Sequence, residues 1–588
     1  MILGLHIGHD ATACLIGKSV TAIAEERVSR IKNHTGFPFG AIEHCLTVQG
    51  STWNDLRSII VAGSGIADMA SYRSKMFFLG KQADFSNEVS WSTRYDMFRY
   101  KANTRTLHDF LSDYAKEQGF TGTISYEDHH LAHVASSYAV YPRHETVLFS
   151  LDGGGDGINW SLYLSESGEF KPLAKSSPMA GRMSESPADV YANTTKLLGF
   201  KRVRHEGKLT GLAAQGTPDK KSYFHELMNF QEGQFVQKTY PRPSLARRLK
   251  RHLNLPLFGI CYNMEMLDDM RDNLRDVDRE TVASSLQTWF EESILSLLDY
   301  YVKELKLGGR QLLLSGGAFA NVLLNQRIHE TGMFSNVSVV PNMGDGGLAL
   351  GAAYLGCSPE ERKSHFPEEW TNVYCGPQYS RETLIQAALD SGLSFVELKD
   401  KAPEVTAKAL EQELIVGLFT AGMEFGPRAL GARSILANPS DSKINETINN
   451  RLNRTEFMPF APCILDVNAD KCLIGYSDTH VTARFMTITY NVRDIMKEKA
   501  PAVVHVDGTA RPQIIERSQN RLYYDIVNEF WLLTGIPAVV NTSFNAHEEP
   551  IVMSPKNAIS SYKAGAIDLL LLDDIMIGNK DLLDSLTA

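Results

Sequence analysis

Two histidines in the first half of the sequence have the spacing of metal ligands. Residues 127–136 read EDHHLAHVAS, and His129 and His133 are four positions apart, so on a helix both imidazoles project from one face. His130 lies three positions before His133 and competes for the same role. A surface helix with spare histidines has the same pattern, so the neighbouring segments must decide between a ligand pair and a solvated face.

Three glycine-rich turns follow predicted strands and could complete such a site. The strand at 147–151 is followed by DGGGDG, the strand at 311–315 by Gly-Gly and a helix, and the strand at 337–340 by a turn and a helix of small residues. Glycines at strand ends let backbone N–H groups approach phosphate oxygens. Asp152 and Asp345 occupy two of these turns. With two histidines they would form a mixed nitrogen and oxygen site, which suits iron, manganese or zinc better than calcium.

The elements that position these groups begin with a hairpin. The apolar stretch MILGLHIG predicts a strand, and a turn, a second strand and a charged helix within 20–34 follow. His9 and Asp10 lie at the turn. An opening hairpin that ends in a small polar turn is the phosphate-loop arrangement of the actin-like ATPase superfamily. The alternative is a capped hairpin in which Asp10 accepts hydrogen bonds from backbone amides.

The second half concentrates arginines beside glycine, proline and hydroxyl residues. A charged stretch at 357–370 predicts a domain boundary. Beyond it, turns between apolar strands hold Arg428 and Arg433 in EFGPRALGARS, while Arg511 and Ser543 lie in two later turns. The planar guanidinium group matches phosphate and carboxylate oxygens. An isolated arginine is usually a solvated surface charge, but this clustering favours a phosphate pocket.

Composition limits the function classes. The chain has 588 residues, 43% of them hydrophobic, and a net charge of −10, which indicates an ordinary globular protein of about two to four domains and makes nucleic acid an unlikely partner. Seven cysteines without a C-x-x-C pair argue against a zinc ribbon or a disulfide framework. No run of eighteen apolar residues predicts a membrane span, and the first residues lack the pattern of a secretory signal. A cytoplasmic location is therefore expected.

These motifs, taken in order, resemble one known family. HDATA, EERVSR, HHLAH, SLDGGGDG, EGKLTGLAAQG, LSGGAFANVLLN, MGDGGLALGAA, FGPRALGARSILANP, PFAP, HVDGTARPQ and NTSFN are similar to the NodU/CmcH O-carbamoyltransferase family over nearly the whole chain. The resemblance implies an α/β fold with two modules. Residues 1–360 would form an actin-like ATPase module of the tRNA threonylcarbamoyl-transferase type, and residues 371–588 a YrdC-like module.

The resemblance also implies a reaction. Carbamoyl phosphate and ATP, with Mg²⁺, would give carbamoyl-adenylate in the second module, and a hydroxyl of a small natural product would accept the carbamoyl group in the first. The alternatives are a tRNA threonylcarbamoyl-type enzyme and a nucleotide-binding regulator without turnover. The fused second half and the HDATA loop argue against the first alternative. Intact His9, Asp10 and candidate metal ligands argue against the second.

By the family pattern, His129, His133, Asp152 and Asp345 would bind iron(II), with manganese and zinc as alternatives. His9 would be the general base for the acceptor hydroxyl, and Asp10 would orient it. Lys208 would touch phosphate or pair with Glu206. The adenylate would contact Asp152, Gly153, Gly154, Ser315, Gly316, Gly317 and Asn321, and the second module would bind carbamoyl phosphate and nucleotide through Arg428, Arg454, Arg511 and Ser543.

The sequence departs from the family motif at one place and contains two segments that match the family less well. Many family members carry K-x-R-x-x-F-R-P-F, whereas LNRTEFMPF places Leu452 at the lysine and Met458 at the second arginine. Arg454 keeps the first arginine, and Arg451 is a candidate substitute for a missing charge. Residues 64–116, with Trp91, and residues 218–275, with a basic run at 247–251, match the family less well and look helical. They would be extra scaffold, a homodimer interface or walls of the acceptor pocket.

Overall fold

A hairpin of buried residues opens the chain. Strand β1 (Ile2–His6) pairs antiparallel with β2 (Thr12–Ile16), with Ile2 opposite Ile16 and His6 opposite Thr12. Every residue of both strands is buried, because the hairpin is covered on both faces. The predicted strand–turn–strand is thus confirmed, and its turn holds His9 and Asp10.

The computed structural model describes residues 1–64, 107–141, 145–166, 168–177, 186–240, 264–366, 373–454, 459–478 and 480–588. They form two units, one of residues 1–19 and 33–369 and one of residues 20–32 and 370–588. The sequence predicts that 20–32 belongs to the first domain, whereas in the structure this segment belongs to the second unit. Trp91, the rest of 65–106, the basic run at 247–251 and Met458 lie outside the described residues.

The segment 20–32 is less helical than predicted. Val20–Ala24 form a strand (β3), and the charged helix is limited to Glu25–Ser29 (α1). The first part is extended because its β-branched and small side chains are buried in a strand environment. Within the second unit, Ala22 N–H donates to Cys375 O at 3.2 Å, and the Arg30 guanidinium donates to the carbonyls of Pro550 and Ile551 at 2.7 Å.

The first unit contains two mixed sheets. In the first, β4 (Ser58–Ala62) is parallel to β1 and to β5 (Thr123–Glu127), which gives the order β2-β1-β4-β5. The second sheet has the order β12-β11-β6-β7-β8. Its strands, with a separate hairpin of β9 and β10, are β6 (Thr146–Gly155), β7 (Ile158–Glu166), β8 (Glu169–Lys175), β9 (Met228–Gln231), β10 (Gln234–Gln237), β11 (Gln311–Ser315) and β12 (Asn336–Val339).

Eleven α-helices accompany these sheets among the residues described for this unit. They are α2 (Phe39–Val48), α3 (Leu107–Glu117), α4 (His129–Val140), α5 (Pro187–Leu197), α6 (Glu206–Ala213), α7 (Lys221–Leu227), α8 (Met264–Leu274), α9 (Arg279–Glu304), α10 (Val322–Glu330), α11 (Leu348–Leu355) and α12 (Pro359–His365). Hairpin β9–β10 was not predicted, since the segment 218–275 was expected to be helical.

Helices α4 and α11 pack against each other between the two sheets. Their approach depends on glycine, because a Cβ on Gly351 would lie 1.8 Å from Ala132 O. On the other side, a Cβ on Gly4 of β1 would lie 2.1 Å from Ala349 O of α11. This close packing brings the start of α4 and the start of α11 to the same end of the unit, which is where the candidate ligands lie.

The second unit is built on one eight-stranded mixed sheet. Its order is β13-β22-β21-β14-β15-β20-β16-β19, and two short strands, β17 and β18, pair with each other. The strands are β13 (Phe395–Glu397), β14 (Val416–Phe419), β15 (Arg433–Ala437), β16 (Ala461–Leu465), β17 (Tyr490–Asn491), β18 (Thr509–Ala510), β19 (Gln513–Ile515), β20 (Ala538–Ser543), β21 (Leu569–Leu572) and β22 (Ile575–Ile577).

Helices cover both faces of this sheet, since successive strand residues point to opposite sides. Val405, Phe530 and Leu583 pack on one face with Leu418, and Leu384 packs on the other with Phe419 and Ile559. The helices are α13 (Arg381–Ser391), α14 (Ala402–Glu411), α15 (Lys443–Arg451), α16 (Ala469–Cys472), α17 (Asp494–Lys499), α18 (Arg521–Thr534), α19 (Pro555–Lys563) and α20 (Lys580–Thr587).

The chain is thus an α/β protein with mixed sheets. Among its described residues, no helix combines the length and apolarity needed to cross a bilayer.

Candidate functional site

Four side chains predicted as metal ligands meet in the first unit. One donor atom from each of His129, His133, Asp152 and Asp345 lies within 4.8 Å of the others. Nε2 of His133 is 3.1 Å from Asp152 Oδ2 and 3.4 Å from Asp345 Oδ1, and Nε2 of His129 is 3.7 Å from Asp345 Oδ1. Three separate segments of the sequence therefore converge on one small volume.

Local sequence explains this convergence. Asp128 Oδ1 accepts a hydrogen bond from Leu131 N at 2.8 Å and starts helix α4, so His129 and His133 share one face as predicted. Asp152 lies where the pairing register of β6 and β7 shifts, between Leu151 and Gly155. Asp345 opens a short 3₁₀ turn directly before α11.

His130 is excluded from this cluster by its own hydrogen bonds. Its Nδ1 lies 2.9 Å from Ser150 Oγ and its Nε2 lies 3.1 Å from Ile158 O. Burial, together with the neighbouring histidines, lowers the pKa of His130 to about 3, so the ring is neutral. The choice of His129 over His130, made from the four-residue spacing, agrees with this geometry.

The four residues fit a bound divalent cation. The buried Nε2 of His129 has no hydrogen-bond partner among the residues that the structure describes. Burial disfavours a charged His133, yet Asp152 and Asp345 outweigh it and raise the pKa of His133 to about 9. Two ligands each about 2.1 Å from a tetrahedral ion are about 3.4 Å apart, close to the separations seen here. A cation would satisfy both the orphaned nitrogen and the paired carboxylates.

His9 and Asp10 lie beside this cluster. His9 Nε2 is 3.2 Å from Asp345 Oδ2, its Nδ1 is 3.2 Å from Asp10 Oδ2, and the His9 side chain is 34% exposed. Asn33 Nδ2 donates to Asp10 Oδ1 at 3.0 Å, and Asp10 itself has a φ of 59°. Although burial opposes it, the charge on Asp345 and the contact with Asp10 raise the pKa of His9 to about 10.

The glycine turns predicted to contact an adenylate also face Asp152. Gly317 N–H donates to Asp152 Oδ2 at 3.3 Å, and a Cβ on Gly316 would lie 2.1 Å from Leu151 O. Ser315 is fully buried at the end of β11. Gly153 and Gly154 continue β6 past Asp152. The second and first glycine turns are therefore neighbours, which the sequence pattern could not establish.

Asn321 and Lys208 are both buried. Asn321 Oδ1 accepts from Leu324 N and from Gln287 Nε2 at 3.1 Å, and its amide donates to Gln287 Oε1 at 2.9 Å. Asn321 therefore caps α10 and is bound to α9, and its contact with an adenylate stays a prediction. Lys208 lies on α6, and the carboxylate of its proposed partner Glu206 accepts from Val203 N at 2.6 Å.

In the second unit, Arg428 and Arg511 form a cationic pair. Burial, and after it the charge on Arg428, lowers the pKa of Arg511 far below its ordinary value. Both Nε atoms are buried without a hydrogen-bond partner, and neither guanidinium has an acidic partner among the residues described. His505 lies close by, and burial followed by the Arg511 charge lowers its pKa to about 4. Two neighbouring cations without a counter-charge constitute a candidate anion site.

The other arginines of this unit have structural partners. Arg433 donates to the carbonyls of Thr420 and Pro377 at 2.6 and 2.9 Å, and its guanidinium carbon is 3.7 Å from the centre of the Phe419 ring. It therefore does not serve the phosphate pocket for which the sequence suggested it. Arg454 donates to Thr542 Oγ1 at 2.9 Å and to Ser543 Oγ at 3.2 Å, so two of the predicted phosphate-binding residues contact each other.

The departure from the family motif has a structural explanation. Arg451 NH1 binds Asp568 Oδ1 at 2.8 Å, so the expectation that Arg451 replaces a missing charge is not met. Leu452 is 1% exposed and packs in the core, so no charged group occupies the lysine position.

Several residues of the first unit were not assigned a role from the sequence. Asp156 Oδ2 accepts from His129 N, and Ser186 Oγ donates to the carbonyl of Asp152 at 2.7 Å. His6 Nε2 lies 3.6 Å from Asp345 Oδ2. The Asp-Gly pair at 156–157 is a sequence signal for a tight hairpin turn, but nothing in the sequence indicated which helix its carboxylate would contact.

The fold and these two sites define an α/β protein with a His₂Asp₂ candidate metal centre in one unit and an arginine-lined candidate anion site in the other. The Carbamoyltransferase N-terminus family model matches residues 1–354, and the Carbamoyltransferase C-terminus model matches residues 407–579. The chain belongs to the carbamoyltransferase family. The resemblance stated from the sequence motifs is thereby confirmed.

Three individual proteins are similar to this chain over half of its length or more. Nodulation protein NolNO of Sinorhizobium fredii is 29% identical over 97% of this chain and 79% of its own length. The uncharacterized protein MJ1058 of Methanocaldococcus jannaschii is 31% identical over 78% of this chain and 75% of its own. Nodulation protein U of Rhizobium tropici is 34% identical, over 51% of this chain and 50% of its own.

Among solved structures, HypF of T. kodakarensis aligns with 61% of this chain and 49% of its own, at 13% identity and a TM-score of 0.28. A likeness of that size supports no conclusion about this protein.

Proposed function

We propose that this carbamoyltransferase is an ATP-dependent O-carbamoyltransferase that works through carbamoyl-adenylate. The observation that carries the proposal is the cluster of His129, His133, Asp152 and Asp345 with the accessible His9 beside it. In this proposal the first unit is the actin-like transfer module and the second is the YrdC-like module that makes the adenylate. The acceptor is a hydroxyl of a small natural product.

The second unit binds the phosphates in this scheme. Arg428 and Arg511 have no acidic partner in the part of the chain that the structure describes, so the anions of carbamoyl phosphate and ATP, with Mg²⁺, would neutralise them. Arg454 and Ser543, which contact each other at the end of β20, would also bind these anions in this proposal. The stoichiometry of the reaction requires one water molecule, which first releases phosphate from carbamoyl phosphate and leaves carbamate. An oxygen of the resulting carbamate then attacks the α-phosphorus of ATP, and pyrophosphate leaves.

The first unit binds the adenylate and the acceptor. Gly153, Gly154, Ser315, Gly316 and Gly317 lie at the two strand ends beside Asp152, and in this proposal they would hold the nucleotide together with Asn321 and Lys208. His129, His133, Asp152 and Asp345 would hold iron(II), or manganese or zinc, which when bound polarises a carbonyl as a Lewis acid. An alcohol is a poor nucleophile at neutral pH, so a base must stand beside it.

His9 is the proposed base. Its Nδ1 contacts Asp10, which orients the ring, and Asn33 in turn holds Asp10. A base must be neutral at the working pH, so the negative charge around His9 has to be balanced. Asp152 and Asp345, as candidate ligands, would hold a divalent cation whose positive charge would supply this balance. His9 then takes the hydroxyl proton as the alcohol attacks the carbamoyl carbon, and AMP leaves.

The two half-reactions can be tested separately. With ATP and carbamoyl phosphate, labelled pyrophosphate should exchange into ATP, and AMP should accumulate with a hydroxylated acceptor. Arg511→Met should abolish the exchange, whereas His133→Ala should retain it and abolish carbamoyl transfer. Formation of ADP instead of AMP would disprove the adenylate mechanism. A panel of hydroxylated metabolites, screened for a mass gain of one carbamoyl group, would identify the acceptor.

A further inference from the structure

The carboxylate of Asp156 connects the β6–β7 turn to the helix that carries both candidate histidine ligands. Asp156 Oδ2 accepts hydrogen bonds from His129 N at 2.7 Å and from Ser64 N at 2.8 Å. His129 is the first residue of α4, and its N–H is one of those that lack a partner inside a helix. A negative charge at this end of the helix also interacts favourably with the positive end of the helix dipole.

The position of Asp156 is fixed by a tight turn. Gly155 pairs with Ile158, and the two residues between them have positive φ angles, 47° for Asp156 and 84° for Gly157. This is the two-residue hairpin that an Asp-Gly pair favours. The carboxylate is therefore presented by a constrained turn at the end of β6, the strand that also carries Asp152.

The same turn also positions the imidazole ring of His129. A Cβ on Gly155 would lie 2.2 Å from Cγ of His129, so the ring packs directly over the glycine. Gly155 thus leaves space for the ring, while Asp156 holds the backbone of the same histidine. His133, one helical turn later, has no comparable contact with the 155–157 turn among the interactions found in the described chain.

We infer that Asp156 is a positioning residue for the metal centre, acting by fixing His129 relative to Asp152. This inference rests on the metal site of the proposed function. Helix α4 has a second cap, since Asp128 accepts from Leu131 N. Loss of Asp156 would therefore leave the helix formed and His133 in place, but would release the start of the helix from β6. The expected defect is a weaker metal site in a folded protein.

The test compares three variants of the full chain. Asp156→Gly removes the carboxylate but suits the positive φ of the turn, and Asp156→Asn keeps an acceptor oxygen and also tolerates that φ. Asp278→Gly is the matched control. Asp278 accepts from Thr281 N at 2.7 Å and caps α9, a helix without a candidate ligand. Co²⁺ is the probe, with its affinity measured by competition with a chelator and its geometry by visible absorption.

Asp156→Gly should bind Co²⁺ about tenfold or more weakly, as is typical when a group that orients a metal ligand is lost. Asp156→Asn should lie closer to the unmodified protein, and Asp278→Gly should bind Co²⁺ normally. In the metal-free protein, the amide of His129 should exchange with deuterium faster in Asp156→Gly. Unchanged Co²⁺ affinity in Asp156→Gly would overturn the inference. If the unmodified protein and His133→Ala bind Co²⁺ equally, the metal site of the proposed function is wrong, and the inference is wrong with it.

Discussion

Oδ2 of Asp345 lies 3.2 Å from Nε2 of His9, and Oδ1 of the same carboxylate lies 3.4 Å from Nε2 of His133 on helix α4. One side chain therefore belongs both to the candidate metal centre and to the surroundings of the proposed base. The charge on Asp345 is the largest influence that raises the pKa of His9. Metal binding and the protonation of His9 should consequently be linked.

Asp345→Asn should disturb both properties. Loss of a carboxylate ligand is expected to weaken Co²⁺ binding by tenfold or more. In the metal-free protein the pKa of His9 should fall from about 10, because the neutral amide no longer stabilises the imidazolium. Chelator competition measures the first effect, and an NMR titration of the His9 ring protons measures the second.

Asp10→Asn is the matched control, since it removes the other carboxylate beside His9 without removing a candidate ligand. It should lower the pKa of His9 without weakening Co²⁺ binding, because all four candidate ligands remain. If Asp345→Asn leaves the pKa of His9 where it was, the two sites do not share this carboxylate in solution.

Truncation of His130 should affect stability, whereas truncation of His133 should affect metal binding. His130→Ala leaves Ser150 Oγ and Ile158 O without their partner, which should lower the free energy of unfolding by roughly 2–4 kcal/mol. Its Co²⁺ affinity should stay normal. His133→Ala should instead abolish Co²⁺ binding. Urea unfolding and chelator competition on both variants measure the two effects, and loss of Co²⁺ binding in His130→Ala would count against the ligand assignment.

This pair illustrates what sequence could establish. The four-residue spacing indicated His129 and His133 as a ligand pair, with His130 as a competitor, and strand ends carrying Asp152 and Asp345 could be expected at one edge of the fold. The contact of Asp156 with His129 could not be foreseen, because it joins two segments 27 positions apart. It depends on the register of β6 and β7, which the sequence does not state.

The arginines illustrate the opposite case. Arg428, Arg433, Arg451 and Arg454 look alike in the sequence, each near glycine, proline or hydroxyl residues. Only burial and partners separate Arg433, bound to carbonyls, and Arg451, paired with Asp568, from Arg428. A guanidinium group serves equally well as a structural clamp and as an anion ligand, so its role depends on which neighbours the tertiary fold supplies.

Replacement of Arg511 should therefore stabilise the ligand-free protein. Arg511→Met removes one of two neighbouring cations that have no counter-charge among the described residues, so the midpoint of thermal unfolding should rise without ligand. The variant should lose the further rise that ATP or carbamoyl phosphate gives the unmodified protein. Thermal unfolding with and without each ligand measures both effects.

Arg433→Met provides the contrast. It deprives buried carbonyl groups of their donor and removes the contact with Phe419, so it should lower the free energy of unfolding by roughly 3 kcal/mol or more. If Arg511→Met is destabilised to the same extent as Arg433→Met, then Arg511 has a structural partner in solution and is not an anion ligand.

Asp189 should make the stability of the first unit depend on pH. The side chain is 5% exposed, and burial, opposed only in part by Arg202, raises its pKa to about 7 from an ordinary 3.8. Between these values the unfolded chain has lost the Asp189 proton while the folded chain retains it. The free energy of unfolding should therefore fall as pH rises from about 4 to about 7, by at most about 4 kcal/mol.

Asp189→Asn cannot ionise, so its stability should change less over this range and exceed that of the unmodified protein at pH 7. Asp299→Asn, which neutralises an exposed carboxylate on α9, should follow the unmodified protein. Chemical unfolding at several pH values tests this, and parallel curves for the unmodified protein and Asp189→Asn would show that Asp189 is ionised in the folded state.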